Sequence, residues 1–298
     1  MKVAVVTDST AYLPAEIAVG HGLHVVPMRI AIGGETRLEG RDVSAGEVAQ
    51  ALREFVPVST SRPSPAVFTE LYAELAEAGH DAIVSVHVSS QMSATLSSAQ
   101  LAARDSRIPV TVVDSGTIGM AMGFGVIAAA EAAAVGDPAE SVAETARRHT
   151  TASETVFYVD TLEHLRRGGR IGRASALMGS ALAIKPLLTV RDGHIEPLER
   201  VRTTAKALSR LTELAAKTVE DLAARLDVDG VDVAVHHLDA RERAETLTER
   251  LAERLTDARR VLLVELGAAV GAHVGPGTLA VAVTPRFSGR RRIVGSSV

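Results

Sequence analysis

β-like and helix-like segments alternate through the first half of this 298-residue chain. The β-like runs are short and rich in Val and Ile, and they cover residues 3–6, 23–30, 82–86 and 110–113. Helical segments are predicted from residue 14, near 44–55, and at 65–78, 94–103 and 122–135. This alternation is typical of an α/β domain with a mainly parallel sheet, because each crossover between parallel strands needs a helix or a long connection.

The second half repeats the alternation after a polar stretch, HTTASE at residues 149–154, which we interpret as a domain boundary. Predicted strands lie at 156–159, 184–190, 231–236, 260–266 and 279–283, with helices at 162–167, 174–182, 203–226 and up to about 256. Arg191 to His194 reads as a hairpin turn. We therefore expect two α/β domains, at residues 1–150 and 154–284, followed by a loose basic tail at 285–298.

Composition removes several classes of function. The chain has no Cys, which excludes disulfides and thiolate catalysis and fits a cytoplasmic protein. The first strand begins at once, so we expect no signal peptide, and no run of about 18 apolar residues predicts a membrane span. The net charge of −4 argues against a nucleic-acid partner. No closely spaced set of His, Asp and Glu predicts a metal site.

Polar or glycine-rich segments follow several predicted strands, where ligands of parallel α/β sheets gather. They are residues 7–10, the hydroxyl-rich run 89–98, residues 114–117 and the glycine-rich stretch 267–277. A fifth segment, STSRPS at 59–64, is expected to be a loop just before a helix. Hydroxyls before a helix suit an anion site, although Ser and Thr also cap helices, so each hydroxyl has a structural interpretation as well.

Single residues in these segments differ in how much they suggest. His273 lies between glycines and is the histidine least easily explained as structural, whereas His236 and His237 are interpreted as structural. The stretch RRGGRIGR at 166–173 is either a solvated basic face or a tight functional loop. No G-x-S-x-G motif occurs, so the serines give little support to a hydrolase.

Eight motifs, taken in order, carry a family resemblance. They are VVTDSTAYLP (5–14), TSRPSP (60–65), SSQMSATLSSA (89–99), VVDSGTIGMAMGFG (112–125), LEHLRRGGRIGR (162–173), IKPLLTVRDGHI (184–195), ERVRTTAKAL (199–208) and GAHVGPGTLAV (271–281). The chain resembles the DegV family to about residue 284. The resemblance implies a two-domain α/β fold that binds one long-chain fatty acid between its domains without turnover. It also implies that the protein presents this acid to a separate fatty acid kinase, which makes acyl phosphate for phospholipid synthesis.

The resemblance also implies roles for individual residues. Ser93, together with Thr60 or Ser61, would hold the fatty-acid carboxylate, and His273 would lie near that head group. Arg170 and Arg202 would lie near the head-group opening, where they could meet the kinase or a phosphate. The chain departs from the family pattern at three positions, where alanine replaces a commoner residue: Ala94, Ala121 and Ala183.

Elementary energetics agree with a lipid carrier. At about 0.8 kcal/mol for each buried methylene, an acyl chain contributes on the order of 10 kcal/mol before ordering costs, whereas one neutral hydrogen bond contributes about 1 kcal/mol. A tunnel would therefore supply affinity, and hydroxyls would supply orientation. Two alternatives remain open: a phosphoryl- or acyl-transfer enzyme that uses the clustered hydroxyls and His273, and a carrier of another apolar acid.

Overall fold

The structure, a computed structural model, describes residues 1–177, 184–255 and 258–287. Its strands are β1 Val3–Asp8, β2 His24–Val26, β3 Arg29–Ile32, β4 Glu35–Leu38, β5 Val58–Ser61, β6 Ala82–His87, β7 Val110–Asp114, β8 Glu154–Tyr158, β9 Lys185–Arg191, β10 His194–Val201, β11 Val228–His237, β12 Ala258–Glu265 and β13 Leu279–Phe287. Its α-helices are α1 Ala15–Gly20, α2 Ala45–Arg53, α3 Pro65–Glu77, α4 Thr95–Ala103, α5 Met120–Ala134, α6 Ala139–Ala152, α7 Glu163–Arg167, α8 Thr204–Arg225, α9 Arg241–Arg254 and α10 Ala268–Val274. Ser9–Ala11 and Gly172–Leu177 form 3-10 helices.

The first lobe contains a parallel sheet in the strand order β2-β1-β6-β7. Every residue of β1 and β6 is buried, because helices cover both faces of the sheet. Strands buried on both faces appear in a sequence as continuous apolar runs, which is why these two were predicted. The mixed α/β fold with a mainly parallel first sheet is confirmed.

A small antiparallel sheet, in the order β4-β3-β5, belongs to the same lobe. Two expectations are wrong here. Residues 23–30 were expected to form one strand, but Pro27 separates β2, in the parallel sheet, from β3, in the small sheet. Residues 59–64 were expected to form a loop, but Val58–Ser61 is an edge strand, β5. Its polar composition hides it, since an edge strand needs little apolar surface.

The second lobe is built on a six-stranded mixed sheet in the order β10-β9-β8-β13-β11-β12. Val156 and Tyr158 point to a core shared with α8 and α9, whereas Phe157 points to a core shared with α5 of the first lobe. This alternation along β8 is the normal period of two in a strand. One face of the second sheet therefore packs against the first lobe.

The region interpreted as a domain boundary, residues 149–154, contains the end of one element and the start of the next. Helix α6 continues to Ala152, and only Ser153 separates it from β8. β13 runs to Phe287, so the first three residues of the expected basic tail belong to a strand. Residues 288–298 of that tail, the end of the helix expected at 174–182, and Ala183 lie outside the described residues.

Helix α10 connects the lobes. It follows β12 in the chain, yet it packs on α2, β3 and β5 of the first lobe. Ala268, Ala269 and Ala272 share a core with Ile30 and Val48. The glycine-rich stretch 267–277 thus contains a helix whose small residues permit close packing against the small sheet.

Candidate functional site

A cavity lies between the lobes, with about 950 Å³ of space unoccupied by atoms, including solvent at its mouth. The apolar side chains of its wall come from both lobes: Met28, Val88, Met92 and Ile118 from the first, and Phe157, Leu165, Val190, Ile195, Leu266, Val270 and Val274 from the second. Neither lobe alone would enclose this space.

Polar side chains from several elements also line the wall. Five of the six residues expected from the resemblance line the cavity: Thr60, Ser61, Ser93, Arg170 and His273. They come from strand β5, the turn before α4, the loop after α7 and the last turn of α10. The fold therefore brings residues that are far apart in sequence to one cavity wall, and Thr60 and Arg170 both lie close to His273. We call these five residues the polar cluster.

His273 and Thr60 are hydrogen-bonded across the two lobes. His273 Nε2 lies 2.7 Å from Thr60 Oγ1, and His273 Nδ1 has no partner among the described residues. Burial, and secondarily the nearby charge of Arg170, lower the pKa of His273 to about 4, so its imidazole is neutral at pH 7. Whichever nitrogen carries the proton, one donor stays free: Nδ1–H if Thr60 donates to Nε2, or the Thr60 hydroxyl if Nε2–H donates. Nδ1 is buried against Gly168, where an added Cβ atom would lie 2.0 Å from it, so only the Thr60 hydroxyl can offer a hydrogen bond to an anion in the cavity.

Ser93 lies in the turn that precedes α4. Its Oγ accepts the backbone N–H of Thr95 at 3.2 Å and lies 2.8 Å from Thr95 Oγ1, which in turn reaches Met28 Sδ at 3.6 Å. Ser93 thus supports the start of the helix and also lines the cavity. Its hydroxyl proton has only the Thr95 oxygen as a partner within the described chain, and an anion in the cavity could compete for it.

The two arginines expected near the opening lie in different settings. Arg170 is exposed and joins the lobes, since its Nε donates to the Met92 carbonyl at 3.2 Å and its Nη1 donates to the Gly168 carbonyl at 2.6 Å. It therefore stands at the rim, next to Ser93. Arg202 is exposed between β10 and α8 and is not part of the cavity wall.

Two residues that sequence analysis did not single out hold α10 in place. Glu39 Oε1 accepts the N–H of Ala269 at 2.7 Å, and Tyr12 Oη accepts the N–H of Val270 at 3.0 Å. The other Glu39 oxygen accepts a hydrogen bond from Ser9. Burial raises the pKa of Glu39, and burial together with the Glu39 charge raises the pKa of Tyr12.

These bonds satisfy free N–H groups in the first turn of α10, the helix that carries His273 in its last turn. The residues they join are more than two hundred positions apart. No local pattern could have indicated them.

His236 forms part of the cavity wall opposite α5. Its Nε2 accepts the N–H of Met120 at 3.1 Å, and burial lowers its pKa to about 4. The Val264 carbonyl lies near the ring, but Nδ1 makes no hydrogen bond of acceptable geometry. His236 was interpreted as structural, and its bond to the start of α5 is a structural role.

A buried polar chain in the first lobe has the order of a catalytic triad. Asp8 Oδ2 lies 3.0 Å from His87 Nδ1, and His87 Nε2 lies 2.7 Å from Ser85 Oγ. Tyr72 extends the chain, with its hydroxyl 2.8 Å from Ser85 Oγ. Asp8, Ser85 and His87 are fully buried, and none of them lines the cavity. A substrate cannot reach Ser85. These hydrogen-bonded side chains instead connect β1, β6 and α3 within the core.

Other kinds of site are not evident in the part of the chain that the structure describes. Within residues 1–177, 184–255 and 258–287, no three His, Asp or Glu side chains are grouped to hold a metal ion. Over the same ranges, no helix has both the length and the apolar character to cross a membrane.

The fold and the cavity define a two-lobed α/β protein with a largely apolar site between the lobes whose wall also carries polar side chains. The DegV family model, described as "Uncharacterised protein, DegV family", matches residues 2–286. A DegV domain-containing protein of Streptomyces coelicolor is 48% identical over 284 residues, covering 95% of this chain and 99% of the relative. The chain belongs to the DegV family.

Solved structures agree with this assignment. The chain is similar to a DegV family protein from Thermus thermophilus described by its fatty acid binding, with a TM-score of 0.86 and 32% identity over 96% of this chain and 100% of that one. DegV from Bacillus subtilis, described as a fatty acid binding protein, matches with the same TM-score, identity and coverage.

Proposed function

We propose that this protein binds one long-chain fatty acid in the cavity and presents its carboxylate to a separate fatty acid kinase, without turnover of its own. The observation that carries the proposal is the apolar cavity between the lobes, with hydroxyl, imidazole and guanidinium groups in its wall. The similar proteins from Thermus thermophilus and Bacillus subtilis are fatty acid binding proteins by description, which supports the ligand class.

The polar cluster suits a carboxylate. Thr60, Ser61 and Ser93 offer hydroxyl donors, and Thr60 keeps its proton for a ligand when His273 Nε2–H donates to its oxygen. Without such partners, a carboxylate taken out of water would carry a large penalty. The acyl chain would lie along apolar side chains of both lobes, where each buried methylene contributes about 0.8 kcal/mol.

The proposed contact with a kinase is based on two exposed arginine side chains. Arg170 stands at the rim beside the cluster, and Arg202 is exposed at the start of α8. We propose that these guanidinium groups face the kinase or the phosphate that is being transferred, since arginine suits planar recognition of phosphate. Arg202→Ala would then lower acyl-phosphate formation while leaving fatty-acid affinity unchanged.

His273 is poorly suited to general-base catalysis, which speaks against the alternative of a transferase. A general base works best when its pKa lies near the working pH, whereas burial lowers the pKa of His273 to about 4. Turnover of ATP or acyl esters by the purified protein alone would overturn the carrier proposal.

The first experiment identifies the ligand. Denaturation of the purified protein is expected to release a fatty acid, which mass spectrometry would identify. Detection of a different apolar acid would favour the alternative of a carrier for another ligand. No release, together with no uptake of added oleate or palmitate, would contradict binding altogether.

The second experiment tests the carboxylate site with Ser93→Ala, using the exposed Ser97→Ala in α4 as the matched control. Coupled to a fatty acid kinase, the Ser93 variant is expected to lose acyl-phosphate formation by about tenfold or more, the value of one hydrogen bond to a charged group. Wild-type activity in Ser93→Ala would remove this residue from the site.

A further inference from the structure

Gly168, the residue that follows α7, packs directly against the imidazole of His273. A Cβ atom added to this glycine would overlap Nδ1 of the ring. Because a carbon–carbon single bond is about 1.5 Å long, the Cα atom of Gly168 itself lies within about 3.5 Å of Nδ1. The α-hydrogen that a Cβ atom would replace therefore points towards this nitrogen, which is buried and has no hydrogen-bond partner among the described residues.

The backbone of Gly168 offers no acceptor to a proton on Nδ1. Its N–H donates to the His164 carbonyl at 2.9 Å, and its carbonyl accepts Nη1 of Arg170 at 2.6 Å. A proton on Nδ1 would therefore point at a C–H group across a close contact. A buried N–H without an acceptor is rare in folded proteins, because it has lost its bond to water and gained none. An unprotonated Nδ1 instead receives the α-hydrogen in a weak C–H contact.

The other ring nitrogen of His273 has a partner that can receive a proton. Nε2 lies 2.7 Å from Thr60 Oγ1, and a hydroxyl oxygen can accept as well as donate. Burial keeps the pKa of His273 far below 7, so the neutral ring carries one proton, and the surroundings of its two nitrogens decide which of them holds it. Since Nδ1 faces a C–H group, the proton belongs on Nε2 and is donated to Thr60 Oγ1. The hydroxyl proton of Thr60 is then free for a ligand.

From this geometry, and resting on the proposed function, we propose that Gly168 is a positioning residue: it fixes His273 as the Nε2–H tautomer and so commits the Thr60 hydroxyl to donate to the fatty-acid carboxylate. His273 then orients the group that touches the ligand and does not touch the ligand itself. Glycine is needed at residue 168 for the close approach and not for the backbone, because its φ of −74° is helical. A committed donor favours an ionised carboxylate, since hydrogen bonds to charged acceptors are about twice as strong as neutral ones.

Nitrogen NMR of the whole protein, isotope-labelled at its histidines, reads the tautomer directly from the chemical shifts of the two ring nitrogens. Delipidated protein is measured at pH 7 without and with oleate, and comparison with His273→Gln identifies the signals of His273. We expect a protonated Nε2 and an unprotonated Nδ1 in both samples. A proton on Nδ1 would overturn the proposal. The tautomer is read without ligand, so a wild-type protein that shows the expected tautomer but binds no oleate would overturn the proposed function instead.

Gly168→Ala and Gly169→Ala form a matched pair that tests the close approach. Alanine suits the helical backbone of residue 168, but its methyl group must displace the His273 ring. Gly169 has a φ of 67°, and a Cβ atom there would meet nothing within 4 Å. We expect Gly168→Ala to change the nitrogen shifts of His273 and to weaken oleate binding by about tenfold or more, the value of one hydrogen bond to a charged group. Gly169→Ala should leave both unchanged, and equal effects of the two substitutions would overturn the proposal.

Thr60→Val and Thr60→Ser test the committed donor and keep the experiment decisive if Gly168→Ala does not fold. Valine has the shape of threonine without the hydroxyl, whereas serine keeps the hydroxyl. We expect Thr60→Val to weaken oleate binding by about tenfold or more and Thr60→Ser to bind as wild type does. Wild-type affinity in a folded Thr60→Val variant would overturn the proposal, because the donor that His273 orients would then have no contact with the carboxylate.

Discussion

His236 is a single buried residue that makes this protein sensitive to acid. Burial lowers its pKa from 6.5 to about 4, so the unfolded chain takes up the proton first as the pH falls. The free energy of unfolding therefore falls progressively from pH 6.5 to about 4. The contribution of one such histidine approaches about 3 kcal/mol by the lower end of that range.

We expect His236→Gln to reduce this acid sensitivity, because glutamine cannot be protonated yet can still accept the N–H of Met120. Urea unfolding at a series of pH values between 6.5 and 4 should give a shallower decline for the variant than for wild type. Equal declines in the two proteins would show that His236 does not contribute to the acid sensitivity.

The sequence indicated the residues of the polar cluster better than the residues that hold α10 in place. Ser93 and Thr60 could be recognised because each lies in a local motif, and both line the cavity. Glu39 and Tyr12 could not, because their function in the fold is to pair with backbone N–H groups that reach them only through tertiary structure. Arg202 matched a motif just as well, yet it lies outside the cavity wall.

Among the elements, the hairpin of β9 and β10 provides a direct contact between the lobes. Its turn residue Gly193 has a φ of 77°, and its carbonyl accepts a hydrogen bond from Ser89 Oγ of the first lobe at 2.9 Å. A Cβ atom added to Gly193 would lie 2.5 Å from Ser89 Oγ. The glycine is therefore required both for the turn and for the close approach of the lobes.

Gly193→Ala and Gly34→Ala form a matched pair that tests this contact. Gly34 also has a positive φ, 94°, but a Cβ atom there would meet nothing within 4 Å. Both variants should lose about 1–2 kcal/mol of unfolding free energy through backbone strain. We expect only Gly193→Ala to lose further stability and to bind fatty acid more weakly. Identical losses in chemical unfolding and lipid binding would argue against a role for the hairpin in closing the cavity.

The elements that sequence analysis missed have physical explanations. In α6 the buried positions are Val142, Ala143, Ala146 and Thr150, so only one large apolar side chain marks its inner face. The flanking glycines of α10 hide a short helix whose alanines lie against the small sheet. Strongly apolar elements such as β1 and β6 were predictable because burial on both faces leaves a clear pattern.

For the whole molecule, a fatty acid that contacts both lobes should make them unfold together. A ligand at one hundred times its dissociation constant adds about 2.7 kcal/mol to the free energy of unfolding. Calorimetry with oleate should therefore show a single unfolding transition whose midpoint temperature is several degrees higher than without ligand. Methyl oleate, which has the same chain but no ionised carboxylate, should produce a smaller shift. An equal shift with the ester would indicate that the polar cluster does not hold the carboxylate.

The interlocking of α10 has a consequence for how such a protein can be divided. The first lobe has its small sheet covered by alanines that come much later in the chain, and it supplies the Glu39 and Tyr12 oxygens that complete this late helix. Synthesised alone, the amino-terminal half would leave Ile30 and Val48 uncovered and prone to stick to other chains. Gene fusions and split reporters built on this scaffold should therefore place their insertions at surface turns such as Gly33-Gly34 and keep both halves on one polypeptide.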